Sequence, residues 1–574
     1  MKSLNSLLIL LLFCLIGLQE YAFSGTDRYW IYFTDKGNLE KLSISEQQDI
    51  VKNMVSPKAI KRRQIRANQT AFNKISISQD LPVYSDYIKT VRQRGFTIHQ
   101  KSRWFNGVSG NASREVLDQI SKLPFVKSVE VVKRFVEKNE AKDSFDELLL
   151  LEQYFQNYDL NYGASFTQAD FHSIPEVHQL GLTGEGVLIG VFDTGFDLNH
   201  PAMQHLIQKV VAEWDFVNND SITHNEEGDP GVQDWHGSWV LSVIAGMKSG
   251  QLIGPAFNAS FCLAKTDAVD FERNIEEDNW AAAAEWAEAI GVDIVSTSVG
   301  YNIFDEGQSS YSYSDMDGET TIVTQAANYL ADRGVVVVSS AGNEGDDDWF
   351  YIDAPADGQQ VLAVGAVNSS NQIASFSSHG PTADGRIKPD VMGMGVNVRV
   401  AYPATQGYTT KSGTSMSCPI IAGICALVLE KFPDLSVSAM LEVMRRAGDN
   451  WGNPNNSRGW GKVDAVKALQ LAENGFEEVN YFSVLPNINN PISFNNGYTE
   501  FRIAVPGQSP VTISIYDILG QRVKKIEFFS GGGVISPVFW DGTNENGVPL
   551  SSGIYPFRVQ TNFGRVGSKV MIIR

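Results

Sequence analysis

A chain of 574 residues exceeds one ordinary hydrophobic core, and 43% hydrophobic with 11% aromatic content excludes a disordered protein in favour of two to four packed domains. The net charge of −20 is uneven: residues 25–138 hold 21 Lys and Arg against 11 Asp and Glu, and residues 139–574 hold 24 against 54. The acidic part would repel phosphate, so nucleic acid is excluded as its partner, while the basic and acidic portions either attract each other or stand as two separately solvated surfaces.

Residues 1–24 read as an export signal, with Lys2 as the positive region, Leu7–Leu18 as the apolar run and Ala22-Phe23-Ser24 as small-residue cleavage positions. The run is too short to span a bilayer comfortably, and no other segment is expected to cross a membrane. Residues 25–138 alternate strand and helix signals: a strand at Tyr29–Phe33, a helix at Val83–Arg94, a turn into a strand at Gly107–Ser109, a helix at Val116–Leu123 and a strand at Val126–Phe135. This predicts a small α+β unit, followed at 139–159 by a polar, acidic link.

From 160 to 475 apolar strands alternate with helices. The strands are expected at Val187–Asp193, Phe261–Lys265, Asp293–Ser298, Val335–Ser340 and Val361–Val367, with helices such as Asn279–Ile290 and Thr320–Ala331 between them. Near-continuous apolar strands predict an α/β domain with a parallel sheet buried on both faces. Over 476–574 the pattern changes to short alternating strands, including Val511–Tyr516, Val534–Trp540 and Ile554–Gln560, which predicts a β-sandwich. Beyond the export signal only Cys262, Cys418 and Cys425 remain, too few for a disulfide framework and without metal-ligand spacing.

The chemistry concentrates at Gly413–Pro419 (GTSMSCP), immediately before the apolar run Ile420–Leu429. Ser415 then sits where a turn enters a buried helix, whose unpaired N–H groups favour a neighbouring oxyanion. A serine so placed is a candidate nucleophile if a base and an orienting acid exist. His236 opens a second helical stretch (HGSWV), and Asp193 ends an apolar strand (VFDTG). Each residue also has a plainer reading: Asp193 in a strand-end turn, Asn343 in a turn before Gly345, Ser415 as a helix cap.

Four blocks in order outweigh those readings: Gly184–Gly195 (GEGVLIGVFDTG), His236–Val240, Ser340–Gly345 (SAGNEG) and Gly413–Met416. With Ser375–Pro381 (SFSSHGP) and Gly385–Asp390 (GRIKPD), they make residues 160–475 resemble the catalytic domain of a subtilisin-like serine protease, a subtilase. The departures are Trp239, where many relatives carry a second His, and Ser417-Cys418 in place of a common Ala-Ser pair.

The resemblance implies a doubly wound parallel sheet and a secreted serine endopeptidase. Asp193, His236 and Ser415 would form the triad, in the subtilisin chain order, and the Asn343 amide would bind the oxyanion. It implies that Ser298, Val299 and Gly300 with Ser340, Ala341 and Gly342 wall the first substrate pocket. Asp353 falls near the segment closing that pocket, either as a carboxylate favouring basic side chains or as one more surface acid beside Asp346–Asp348. No cofactor is needed for the chemistry. Calcium is common in the family, but no loop here has EF-hand spacing.

Residues 25–138, through Ser102–Ser109 (SRWFNGVS) and Leu123–Val129 (LPFVKSV), resemble a subtilase propeptide, which implies an intramolecular inhibitor removed by cleavage within Val136–Tyr162. Residues 476–574, through Ser514–Gly520 (SIYDILG), Trp540–Gly542, Ser552–Tyr555 and Gly567–Arg574, resemble the Ig-like sorting domains of bacterial type IX secretion cargo. That implies secretion machinery as a partner and an extracellular or cell-surface location. A carbohydrate- or protein-binding sandwich is the other reading of this domain. For the whole chain the alternative is a silent subtilase scaffold acting as a surface binding protein.

Overall fold

The computed structural model describes residues 28–67, 77–132, 160–269, 275–302, 310–473, 483–488, 499–505, 509–530 and 534–573. The export signal and the link at 139–159 lie outside them.

The N-terminal unit is a four-stranded antiparallel sheet with helices. Its strands are β1 (Arg28–Phe33), β2 (Thr97–Ser102), β3 (Gly107–Asn111) and β4 (Val126–Val132), in the order β2-β3-β1-β4. The helices α1 (Ile44–Met54), α2 (Pro57–Arg66), α3 (Ser85–Gln93) and α4 (Arg114–Ile120) connect them. Ile31, Phe33, Val91, Phe96, Val108, Leu117 and Ile120 form the core. The expected helices and the strands β1, β3 and β4 are present, but β2, α1 and α2 go beyond the expectation. Both have sequence-local caps: Ser43 forms a capping box with Glu46, and Ser56 caps α2 ahead of Pro57. What α2 lacks is an apolar stripe, since its buried residues are Ala59, Arg62, Arg63 and Arg66.

The central unit is built on seven strands: β5 (Leu188–Asp193), β6 (Val210–Asp215), β7 (Ser260–Lys265), β8 (Ile294–Thr297), β9 (Val336–Ser340), β10 (Val361–Val367) and β11 (Val391–Met394). Their order is β11-β10-β9-β8-β5-β7-β6, and every pairing is parallel. Helices α5 (Trp235–Ala245), α6 (Ile275–Ile290), α7 (Ile322–Asp332), α8 (Thr414–Lys431), α9 (Val437–Ala447) and α10 (Ala465–Glu473) complete it, with a hairpin of β12 (Val398–Tyr402) and β13 (Gly407–Lys411). The five expected strands are all in the sheet. The two outermost, β6 and β11, escaped the sequence reading because one is half-exposed and the other has only four residues.

The chain starts this sheet at β5, runs to the edge at β6, returns to β7 between them and then crosses to β8 and outward to β11, so the connections diverge beside the C-terminal end of β5. Open α/β sheets bind their ligands at such a switch point. Helix α8 is buried from Thr414 to Leu429, packed against β8, β9, β10 and β11. It is long and apolar enough to cross a membrane but is the core helix of this unit. Cys262, Cys418 and Cys425 are free and buried, and burial pushes the first two thiols up to about 12.

The third unit has two antiparallel sheets. One is β14 (Ser483–Ile488), β15 (Thr499–Val505) and β18 (Val534–Trp540), and the other is β17 (Arg522–Ser530), β16 (Ser509–Tyr516), β19 (Gly553–Thr561) and β20 (Gly564–Ile572). Phe501, Ile503 and Trp540 of the first pack with Ile513, Phe557 and Val559 of the second. This is the β-sandwich that the alternation predicts.

The GRIKPD segment has a structural role. Asp390 is fully buried; its Oδ1 accepts from Arg445 at 2.6 Å, and its Oδ2 accepts from Lys388 Nζ and the Ala363 amide, both at 2.8 Å. The carboxylate thereby ties α9 to β10 and β11. Replacing Asp390 with Ala leaves two buried cations unpaired and should cost about 3–5 kcal/mol, read as a loss of denaturant midpoint for the central unit in urea melts of the Ser415→Ala chain.

Candidate active site

The C-terminal end of β5 delivers Asp193, which is fully buried, and the first turn of α5 delivers His236. His236 Nδ1 lies 2.7 Å from Asp193 Oδ1, which also accepts the Thr194 amide at 2.8 Å. The imidazole is 27% exposed, so one edge is held and the other faces the crevice. Trp239, one turn further along α5, meets the ring edge-on with centroids 6.0 Å apart, and Lys411 caps Trp239 from 4.2 Å.

Helix α5 packs beside α8, whose first turn carries Ser415. That turn is held by a device the sequence did not reveal. Pro419 has no N–H to give the Ser415 carbonyl, which would otherwise accept the fourth-residue helix bond. Ser298 Oγ supplies the missing donor at 3.1 Å. Gly413 precedes the turn at φ +153, and a Cβ there would lie 2.9 Å from Ser415 Oγ, so only glycine leaves the hydroxyl its space.

Asn343 is joined to the same turn. Its Oδ1 accepts from the Thr414 amide at 2.8 Å and from Thr414 Oγ1 at 3.0 Å. With the oxygen so engaged, the Asn343 NH₂ is the group left to donate toward the crevice. The SFSSHGP segment braces this loop: Phe376 O accepts from Gly345 N at 2.8 Å, and Ser378 Oγ accepts the Glu344 amide at 3.0 Å.

The expected pocket walls divide. Ser298 uses its hydroxyl on the turn that carries Ser415, while Val299 is half-buried and Gly300 exposed. Ser340, Ala341 and Gly342 are buried, and their backbone is tied internally: Ala341 N to Val364 O, Asp353 N to Ala341 O, Ser378 N to Gly342 O. Asp353 is no surface acid, being only 5% exposed. Asp353 Oδ2 and Glu344 Oε2 would lie 2.3 and 2.5 Å from a Cβ on Gly342, so both carboxyls press against that wall. Asn302 Nδ2 donates to Asp353 Oδ1 at 2.6 Å. Burial, reinforced by the hydrogen-bonded Glu344 carboxyl, pushes Asp353 well above the usual carboxylate range, so the pair keeps a proton between its members.

A second acid was missed in the sequence. Asp267 is buried just beyond β7, where Tyr301 Oη donates to it at 2.8 Å and Thr266 Oγ1 donates to its other oxygen. Gln233 Nε2 bridges the carbonyls of Asp267 and Thr194, at 2.7 and 2.6 Å. Burial, with the charge of Asp193 adding to it, pushes Asp267 up to about 7 against the opposing hydrogen bonds and the nearby His236. It lies in Lys265-Thr266-Asp267, a strand end with no periodic or spacing signal.

Asp215, Asp220 and Glu226 are the three acids that converge closely enough to invite a cation among the described residues. Lys265 Nζ already sits 2.8 Å from Asp215 Oδ2 and 2.7 Å from Asp229 Oδ2. One ammonium offsets one of these negative charges, so the group stays acidic, with Asp220 and Glu226 outside the lysine's ion pairs.

Residues 184–461 match the model of the Subtilase family, residues 28–146 that of the Peptidase S8 propeptide domain of Bacteroidota, and residues 489–564 that of the FlgD Ig-like domain. Subtilisin DY of Bacillus licheniformis is 31% identical over 294 residues, covering 51% of this chain and 92% of the relative. Serine protease AprX of Bacillus subtilis is 31% identical over 317 residues, 50% of this chain and 67% of the relative. Subtilisin Savinase of Lederbergia lenta is 30% identical over 312 residues, 54% and 98%. On these grounds the chain belongs to the subtilase family of serine peptidases, with a propeptide domain ahead of the peptidase unit.

Proposed function

We propose that the protein is a secreted serine endopeptidase, made as a zymogen that removes its own N-terminal unit. The observation that carries this is the contact of Asp193 with His236 at the sheet's switch point, beside a helix N-terminus whose first turn carries Ser415 and is hydrogen-bonded to Asn343. Ser415 Oγ attacks the peptide carbonyl. His236 takes the hydroxyl proton and returns it to the leaving amine, while Asp193 fixes the ring and stabilises the imidazolium. The oxyanion that develops is met by the Asn343 amide and the Ser415 N–H at the positive end of α8. The acyl-enzyme is then released by water through the same proton transfers in reverse.

Substrate would add as a strand along Ser298–Gly300, since the backbone of the opposite wall is engaged internally. The Glu344–Asp353 pair behind Gly342 favours a basic side chain, whose positive charge replaces the shared proton as counter-charge. The C-terminal sandwich would serve export, in the manner of type IX secretion cargo, and its match to an Ig-like model is consistent with that architecture.

The chain from residue 25 onward should shed its N-terminal unit and degrade casein, and Ser415→Ala should do neither; intact mass over time reads both. An inert wild-type chain that is nonetheless folded would remove the peptidase reading. On a peptide panel, cleavage after Arg should exceed cleavage after Phe at least tenfold, with the gap closing in Asp353→Asn, whereas equal rates in the wild type would sink the basic preference. Asp267, held at about 7, carries its negative charge near the imidazole from around neutrality upward, so Asp267→Asn makes the ring harder to protonate there and changes little at lower pH. The acid limb of the kcat/KM profile should therefore move to lower pH, by a few tenths of a unit.

A further inference from the structure

The side of the crevice beyond His236 carries a cation. One turn along α5 from the imidazole stands Trp239, its ring edge-on to His236 with centroids 6.0 Å apart. Over that indole lies Lys411, with Nζ 4.2 Å from the ring centroid. Imidazole, indole and ammonium thus follow one another in contact, and all three side chains are half-buried.

The backbone of Lys411 is fixed from both directions. The residue ends β13, where it pairs with Val398 of β12. Beyond it, Ser412 Oγ accepts the Asn397 amide at 3.0 Å, and the Gly413 amide donates to Gly395 O at 2.8 Å. The chain then enters the turn that carries Ser415. Lys411 therefore belongs by sequence to the Ser415 side of the site and by its side chain to the His236 side.

Its charge runs against the background. The hairpin from Val398 to Lys411 holds Arg399 and Lys411 and no acidic residue, although residues 139–574 carry 24 basic against 54 acidic side chains. Arg399 is spent on Tyr408, with Cζ 5.2 Å from that ring. Asp197, the acid that touches the hairpin, is bound by Gln406 at 2.9 Å, at the tip and away from Lys411. The indole face attracts the ammonium, and the lysine methylenes cover apolar surface beside it.

In the acyl transfer proposed above, on which this inference rests, His236 returns its proton to the leaving amine. The part of the substrate that follows the cut bond therefore lies on the imidazole's side of Ser415. We propose that Lys411, carried on Trp239, selects the leaving side of the substrate. It favours peptides with Asp or Glu within two residues after the cut bond and disfavours Lys and Arg there. The chain's own link has the matching composition: residues 139–159, inside the stretch expected to be cut, hold six Asp and Glu against one Lys. Charge complementarity then places self-cleavage and cleavage of other proteins under one rule.

The test uses protein that has shed its N-terminal unit and internally quenched peptides with Arg before the cut bond. They differ only in the second residue after it, Asp or Lys, and product masses identify the bond broken. In the wild type, kcat/KM should be at least about fivefold higher for Asp than for Lys at low salt, and the ratio should shrink as salt screens the pair. Lys411→Met keeps an unbranched side chain over the indole without the charge. It should bring the ratio to about one, and Lys411→Glu should invert it; because the ratio is taken within each variant, a general loss of activity cancels. A wild-type ratio near one, or a ratio that Lys411→Met leaves unchanged, would overturn the proposal. If neither variant matures, the wild-type ratio decides alone, and one that ignores salt overturns it. A protein inert toward both peptides removes the peptidase reading and this inference together, whereas hydrolysis indifferent to charge removes this inference alone.

Discussion

A helix buried along its length cannot choose where its first turn lies. Helix α8 is wedged against four strands, and its N-terminal turn must emerge at the switch point of the sheet. Everything chemical is arranged around that fixed end. Pro419 frees the Ser415 carbonyl for Ser298, Thr414 takes the Asn343 oxygen, and α5 packs alongside to bring His236 to Asp193. Positioning is thus a property of the core, and the reacting groups inherit its rigidity.

The second organising constraint is that charge leaves water only when it is met. Asp390 has Lys388 and Arg445, Glu288 has three arginines, and Lys265 has Asp215 and Asp229. Where no cation is at hand, as at Glu344 and Asp353, the carboxyls retain a proton instead. The two solutions differ in consequence. A matched pair holds elements together, whereas a proton-sharing pair is held by the hydrogen bond between its own carboxyls. The basic surplus of residues 25–138 and the acidic surplus of the rest therefore meet as one specific set of contacts between α2, Arg103 and the ends of α6, α7 and α8.

Sequence reading succeeded where the signal is local. Strands such as Val361–Val367 are apolar throughout, and Ser415 precedes an unbroken apolar run, so both declare themselves within ten residues. It failed where partners come from afar. Asp353 resembles any loop acid until burial and Glu344 are known, and Asp267 stands in no motif at all. Helix α2 is the clearest case: its buried face is mostly arginine, which no apolar periodicity detects, and its partners in the peptidase unit lie more than two hundred residues away.

By itself the sequence determined the parallel sheet of the α/β unit and the antiparallel strands of the C-terminal unit, and it named the candidates for acyl transfer, because burial pattern and short motifs are written in neighbouring residues. Only the tertiary structure decided which carboxyls share a proton, why Ser298 serves the turn that carries Ser415, and how α2 grips the far side of the peptidase unit. Those outcomes depend on desolvation and on the pairing of distant groups, and both exist only once the chain has closed around them.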